Sequence, residues 1–231
     1  NLTVTDTTPT AIGTHTLSLA DTALKTVVVT GNAGLTLTTN SAALTSVDGS
    51  ALTAALTATT NGTVAQTILG GAGADSLTAA GTSDVLNGGS GADTLTVTGD
   101  LASLTGGAGS DVFNVADATT NVNSYATIVD LAAGDTIKFY NTGATESFAS
   151  AKIVLGDTAV FQDYANAAIS ANDGGAISWF QYSGNTYVIE HISSDASTSF
   201  VNGTDVVVKI AGLVDLSTAS FSSSSQTLVI V

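Results

Sequence analysis

The chain has 231 residues and a formal charge of −15, from 19 acidic against 4 basic residues, with 44% apolar but only 6% aromatic residues, one proline, no cysteine and no methionine. A surface this acidic excludes nucleic acid as a partner, because phosphate binding needs cations; disulfide stapling is excluded outright, and no apolar run approaches the length of a membrane span. Leu, Val and Ala covered by Thr, Ser and Gly suit a long thin core rather than one round aromatic-rich core, which points to a solenoid.

From Asn1 to Leu69 short alternating or apolar strands are expected at Leu2–Val4, His15–Leu19, Lys25–Val29, Leu35–Thr38, Leu52–Leu56 and Val64–Leu69. Turn residues separate them at Gly13, Gly31-Asn32, Gly34, Asp48-Gly49 and Asn61-Gly62. A spacing of roughly ten residues between strands implies rungs of an irregular β-solenoid. Asn61–Leu69 already fits a nine-residue frame, with Ile68 at the inward position. Asp48 is a candidate metal ligand or a solvated turn aspartate.

The strict repeat begins at Gly70-Gly71-Ala72-Gly73-Ala74-Asp75. It returns eighteen residues later as Gly88-Gly89-Ser90-Gly91-Ala92-Asp93, and eighteen later again as Gly106-Gly107-Ala108-Gly109-Ser110-Asp111. Two weaker nonapeptides, Ala79–Asn87 with Asp84 and Val97–Thr105, keep the register between them. Such a period describes a coil in which each half-turn is one nonapeptide, six residues of glycine turn followed by three of strand. The inward row is then Leu77, Leu86, Leu95, Leu104 and Phe113. With two nonapeptides per full turn, all three complete units share one edge, and Asp75, Asp93 and Asp111 form a column about 4.8 Å per layer apart. Stacked carboxylates repel unless a cation lies between them. An all-oxygen, carbonyl-rich shell on a flexible loop suits Ca²⁺ better than Mg²⁺. One Ca²⁺ is expected between the first and third units and one between the third and fifth, with little bound on the opposite edge, where Asp84 is a weaker candidate.

These units resemble the GGxGxDxUx repeats of the RTX proteins exported by type I secretion systems. The resemblance implies that Gly71, Gly73, Asp75, Gly88, Ser90 and Asp93 surround one ion. It places Gly89, Gly91, Asp93, Gly106, Ala108 and Asp111 around the next, with Gly70, Ala72, Gly107 and Gly109 completing the turns. The segment Leu44–Leu52 is similar to rungs of bacterial surface-layer proteins. The absence of cysteine fits passage through a one-step export channel.

After Asn114 the period stops, and an open roll edge would pair with another chain unless capped. Ile128–Phe139 has two expected strands around a Gly134-Asp135 turn and is similar to the closing strands that follow RTX repeats. Asp130 and Asp135 could finish a last Ca²⁺ site there, or do plain turn chemistry. Within Ser147–Ala171, Phe161, Tyr164, Ala165, Ala168 and Ile169 recur at helical spacing and mark the one expected helix. Ala176–Tyr182 and Asn185–Glu190 flank Ser183-Gly184 as a β-hairpin. Thr204–Ile210 is a further strand, and Thr227–Val231 ends the chain. From Tyr182 to Ser217 the order of residues is similar to the C-terminal domains of type I-secreted surface-layer proteins, which implies that the last hundred residues carry the export signal.

The expected fold is therefore all-β: irregular solenoid rungs over 1–69, an RTX parallel β-roll over 70–114, and a β-rich cap and secretion domain with one short helix over 115–231. A start at Asn1 rather than Met reads as the C-terminal part of a longer chain. No nucleophile–base pair or paired carboxylates stand out; His15 and His191, the only two histidines, are expected on strand surfaces, and no enzyme is expected. The resemblance implies a secreted surface-layer (S-layer) protein that self-associates into a two-dimensional lattice at the cell surface. Its other partners are the type I secretion machinery and, through regions outside this chain, a cell-surface glycan or lipopolysaccharide. The alternative is the calcium-folded export tail of an RTX protease or lipase, or of a large RTX adhesin.

Overall fold

Where Thr or Ser alternates with Leu, Val or Ala, one face of the strand is apolar and the other carries hydroxyls, so the chain can bury a face only by coiling it inward. The computed structural model describes residues 1–5, 14–115, 124–139, 146–171, 175–192 and 198–231; the turn expected at Gly13 lies outside them. The chain forms two units, Asn1–Asn114 and Val115–Val231.

In the first unit the strands are β1 (Leu2–Thr5), β2 (Thr14–Leu19), β3 (Thr26–Gly31), β4 (Gly34–Thr39), β5 (Ser46–Leu52), β6 (Leu56–Thr60), β7 (Thr67–Leu69), β8 (Ser76–Ala79), β9 (Val85–Ser90), β10 (Thr94–Val97), β11 (Ser103–Ala108) and β12 (Val112–Asn114). Odd-numbered strands stack in parallel in the order β1-β3-β5-β7-β9-β11, and even-numbered strands as β2-β4-β6-β8-β10-β12. This is a parallel β-solenoid of six turns. A full turn takes 25 residues from Leu2 to Val27, 20 from Thr14 to Gly34 and 21 from Ser46 to Thr67. It settles at 18 from Thr67 to Val85 and holds through Ser76, Thr94 and Val112. The longer rungs need local adjustment: register slips between Val28 and Thr30, opposite Asp48-Gly49-Ser50. A side chain at Gly49 would strike Leu56 and the Leu69 carbonyl, so this bulge requires glycine.

The inward row divides into two ladders half a turn apart. Leu77, Leu95 and Phe113 stack on one sheet, and Ile68, Leu86 and Leu104 on the other, all fully buried. Each buried Leu contributes about 1.5–3 kcal/mol, and because a rung touches only its neighbours these gains add along the axis. On the outer face of the even sheet, Thr16, Thr36, Thr57, Ser76 and Thr94 form one hydroxyl column, and Ser18, Thr38, Thr59, Thr78 and Thr96 a second.

In the second unit β13 (Ala126–Ile128), β15 (Ser147–Phe148), β16 (Ala176–Tyr182), β17 (Asn185–Glu190) and β18 (Val206–Ile210) form a sheet ordered β13-β18-β17-β16-β15. β14 (Thr136–Lys138), β20 (Thr227–Val229) and β19 (Ser220–Ser222) form an antiparallel set. The two strands expected around Gly134-Asp135 are β13 and β14; they go to different sheets rather than pairing with each other. β16 and β17 are the expected hairpin, closed by Ser183 and Gly184 at φ +48° and +78°, the left-handed pair of a type I′ turn.

The helix, α1 (Phe161–Ser170), is shorter than its expected window, because Ser147–Phe148 is a strand on β16 and helical spacing starts only at Phe161. The Asp163 carboxylate accepts the Val160 N–H at 2.9 Å and closes the first turn. Ala165, Ala168 and Ile169 pack on Phe180, Tyr187 and Ile189, with Phe161 edge-on to Tyr187 at 4.9 Å between ring centres. His191, expected at a surface, is buried. Its backbone bonds to Gly175 and Ala176 extend the β16–β17 ladder past the last strand residue, so it continues a strand rather than entering a surface loop.

Candidate metal centre

Glycine turns set the geometry. The three Gly-Gly turns all connect an odd strand to the next even strand, β7 to β8, β9 to β10 and β11 to β12, so Asp75, Asp93 and Asp111 fall on one edge of the coil. Each is buried, at 2% exposure or less, and each reaches back one rung. Asp75 Oδ1 accepts the Leu56 N–H at 2.6 Å, Asp93 Oδ1 the Asp75 N–H at 2.7 Å, and Asp111 Oδ1 the Asp93 N–H at 2.9 Å. Asp75 Oδ2 also accepts the Gly71 N–H at 2.6 Å. Asp93 Oδ2 is buried with no hydrogen-bond partner.

Between these carboxylates the backbones approach so closely that only glycine fits. A Cβ at Gly89, Gly91, Gly107 or Gly109 would overlap the carbonyl oxygen of Gly71, Gly73, Gly89 or Gly91 respectively. The space beside Gly70 is filled by the Gly88 carbonyl and the Asp75 carboxylate together. Glycines 89, 91, 107 and 109 take φ of +104°, +127°, +99° and +148°, the region that residues with a side chain rarely adopt.

Burial raises the Asp93 pKa to about 6; the Asp75 amide opposes the rise, and the charges of Asp75 and Asp111 add to it. Asp75 is likewise raised by burial, opposed by the Leu56 and Gly71 amides. A carboxylate oxygen sealed from water and left unpaired is costly unless a cation meets it. Among the described residues no three acidic or imidazole side chains converge, so a metal here would be held chiefly by carbonyls, with Asp adding charge. That is a hard-cation donor set, and the residues present fit Ca²⁺. Outside the strand ladders, the Gly71 carbonyl accepts the Ser90 N–H at 2.9 Å and the Ala108 carbonyl the Gly91 N–H at 2.8 Å; each keeps a second lone pair.

The opposite edge is built differently. Asp84 is fully buried, but both its oxygens are filled, by the Gln66 N–H at 2.8 Å and the Gly81 N–H at 2.7 Å. Burial raises its pKa, and those two amides oppose the rise. Positive φ falls there on Ser83 (+64°) and Leu101 (+60°), the fifth nonapeptide position, rather than on second- and fourth-position glycines. Asp48 accepts the Ser50 N–H at 3.0 Å and its hydroxyl at 2.6 Å within the bulge. Asp135 Oδ2 accepts the Ala132 N–H at 2.8 Å beside left-handed Gly134, and Asp130 lies half-buried five residues earlier.

Two further residues do the aspartates' stapling work. Gln66, at the sixth position of the Asn61–Leu69 frame, binds the Leu44 carbonyl at 3.2 Å and the Thr60 hydroxyl at 2.5 Å; its place in the frame was the signal. Asp205, in the second unit, is buried and accepts the Ile192 and Val201 N–H groups at 3.0 and 2.8 Å. Its partners are irregular in sequence, and no local pattern announced it.

No curated protein was found to match the chain. Residues 61–95 match the family model described as the RTX calcium-binding nonapeptide repeat (4 copies). The match begins in the Asn61–Leu69 frame, and the third Gly-Gly turn continues it in register beyond Leu95. Within the eighteen-residue part of the solenoid, residues 61–95 are thus RTX repeats.

Proposed function

We propose that this chain is the C-terminal part of a calcium-dependent surface-layer protein, exported by a type I secretion system and folded outside the cell by Ca²⁺. The observation that carries the calcium reading is Asp93: a buried carboxylate with an unpaired oxygen, between like charges, in a glycine-built stack of carbonyls. Bound Ca²⁺ supplies compensating charge and an oxygen-coordinated link between adjacent rungs. Where calcium is scarce, repulsion among Asp75, Asp93 and Asp111 and the conformational entropy of the glycine turns oppose closure of the roll, which keeps the chain threadable for export. For sites of about 10⁻⁴–10⁻³ M affinity, tenfold excess calcium adds about 1.4 kcal/mol per site. Folding thus follows the calcium step from inside to outside.

The surface-layer role is supported by the solenoid of Thr/Ala-rich rungs that leads into the RTX roll, a repetitive wall-like element rather than a catalytic domain abutting it. In this reading the chain works as structure and not as an enzyme, its copies pack into a lattice, and attachment to surface glycan or lipopolysaccharide lies in other parts of the protein. Electron microscopy of the full-length protein with Ca²⁺ tests it. Two-dimensional crystalline arrays that dissolve in chelator are expected; a calcium-folded but strictly monomeric product would favour the export tail of a hydrolase.

A further inference from the structure

We infer that the second unit has a cation site of its own, held by the Glu146 carboxylate, the Ser223 carbonyl and the Gln226 side-chain oxygen, and that its occupant is Ca²⁺. None of these residues belongs to the aspartate edge, so the site does not depend on what that edge binds.

Gln226 stands where its residue type is unusual. It ends the four-residue loop between β19 and β20, across which Ser222 pairs with Thr227, and it takes φ +57°. Such a loop position ordinarily goes to Gly or Asn, because other residues are strained there. Among the described residues, the other non-glycine residues with positive φ, Ser83, Leu101 and Ser183, have exposed side chains, whereas Gln226 is 3% exposed. The strain is kept for something the buried amide does.

That amide meets a residue eighty positions earlier in the chain. Its Nε2 donates to Glu146 Oε2 at 2.8 Å and to the Ser223 carbonyl, while its Oε1 is sealed from solvent without a hydrogen-bond partner. A buried acceptor left unmatched is costly. Half a turn about the last side-chain bond exchanges Oε1 for Nε2. Three oxygens then converge, one from a carboxylate that is itself 6% exposed. Only one Glu146 oxygen is asked for. One full negative charge with two carbonyl dipoles is a donor set for a hard cation. A cavity of about 340 Å³, lined by Glu146, Ser147, Ser150 and Ser223, lies beside it. It has room for the waters that bring the shell to the six to eight oxygens of Ca²⁺, and a loop-borne shell suits that ion better than the tight octahedron of Mg²⁺.

The place in the fold gives the ion a task. Glu146 directly precedes β15, the edge strand of one sheet, and Ser223 and Gln226 begin and end the β19–β20 loop of the antiparallel set. β15 is laddered only through Ser147 and Phe148. The ion clips this short edge to the neighbouring hairpin.

Native mass spectrometry of the whole chain in CaCl₂ counts the ions. Gln226→Gly removes Oε1 and relaxes the left-handed backbone, so it should fold and bind one Ca²⁺ fewer than the unaltered chain. Glu146→Gln keeps the shape and removes the charge; it should lose the same ion, and the double variant no more than that one. An unchanged count in either single variant, with the circular dichroism of the unaltered chain, would overturn the inference and leave Gln226 as a hydrogen-bonding partner of Glu146. Crystals of the unaltered chain grown in CaCl₂ decide the matter without any variant. An ion at about 2.3–2.6 Å from Glu146, the Ser223 carbonyl and Gln226 Oε1 is expected; a water there, or Nε2 still turned to Glu146, would overturn it.

Discussion

Asp93 is the side chain on which the edge turns. It donates its own N–H to Asp111, accepts that of Asp75 and keeps a free buried oxygen. Asp84, equally buried, spends both oxygens on amides of Gln66 and Gly81. Replacing Asp93 by Asn should weaken Ca²⁺ binding tenfold or more. Asp84→Asn should change affinity little while lowering stability by about 1–3 kcal/mol, because one buried amide loses its acceptor. Paired calcium titrations and denaturation curves check this, and equal losses of affinity would show that the edges are misassigned.

Protonation offers a second residue-scale prediction. The folded pKa of Asp93, about 6, stands above its ordinary value of 3.8, so the folded state holds its proton more tightly than the unfolded chain. As pH rises from about 4 through 6 that advantage is lost. In calcium-stripped buffer the chain should therefore show more β signal by circular dichroism at pH 5 than at pH 7. More β signal at pH 7 would contradict the burial of an uncompensated carboxylate.

At the scale of elements, the two kinds of edge turn make opposite demands. Gly107 combines φ +99° with the Gly89 carbonyl in the place of a side chain, whereas Leu101 holds φ +60° with a half-exposed side chain. Gly107→Ala should destabilise by about 2 kcal/mol or more, through strain and backbone overlap. Leu101→Gly should be near neutral, within about 1 kcal/mol, because it relieves a left-handed residue; denaturant midpoints of the two variants measure the difference. The eighteen-residue roll was legible because glycine and aspartate recur at fixed offsets and each has a steric or electrostatic reason to be there. The Ser183-Gly184 hairpin was legible for the same reason. The 20- and 21-residue rungs were visible only as strands, since no glycine and aspartate at fixed offsets mark their period. The start of α1, the separation of β13 from β14, the burial of His191 and the Asp205 staple depend on contacts distant in sequence, and no local periodicity carries them.

For the whole molecule, a net charge of −15 and a column of buried aspartates are what the proposed calcium-dependent folding has to neutralise. The RTX repeats supply the expected neutraliser, and the surface-layer proposal builds on that dependence. The most direct test is far-UV circular dichroism of the calcium-stripped chain during titration with CaCl₂, set against MgCl₂. The account predicts a cooperative gain of β signal at submillimolar to millimolar Ca²⁺, not reproduced by Mg²⁺ and reversed by chelator. A full β signal in chelator, unchanged by calcium, would contradict it.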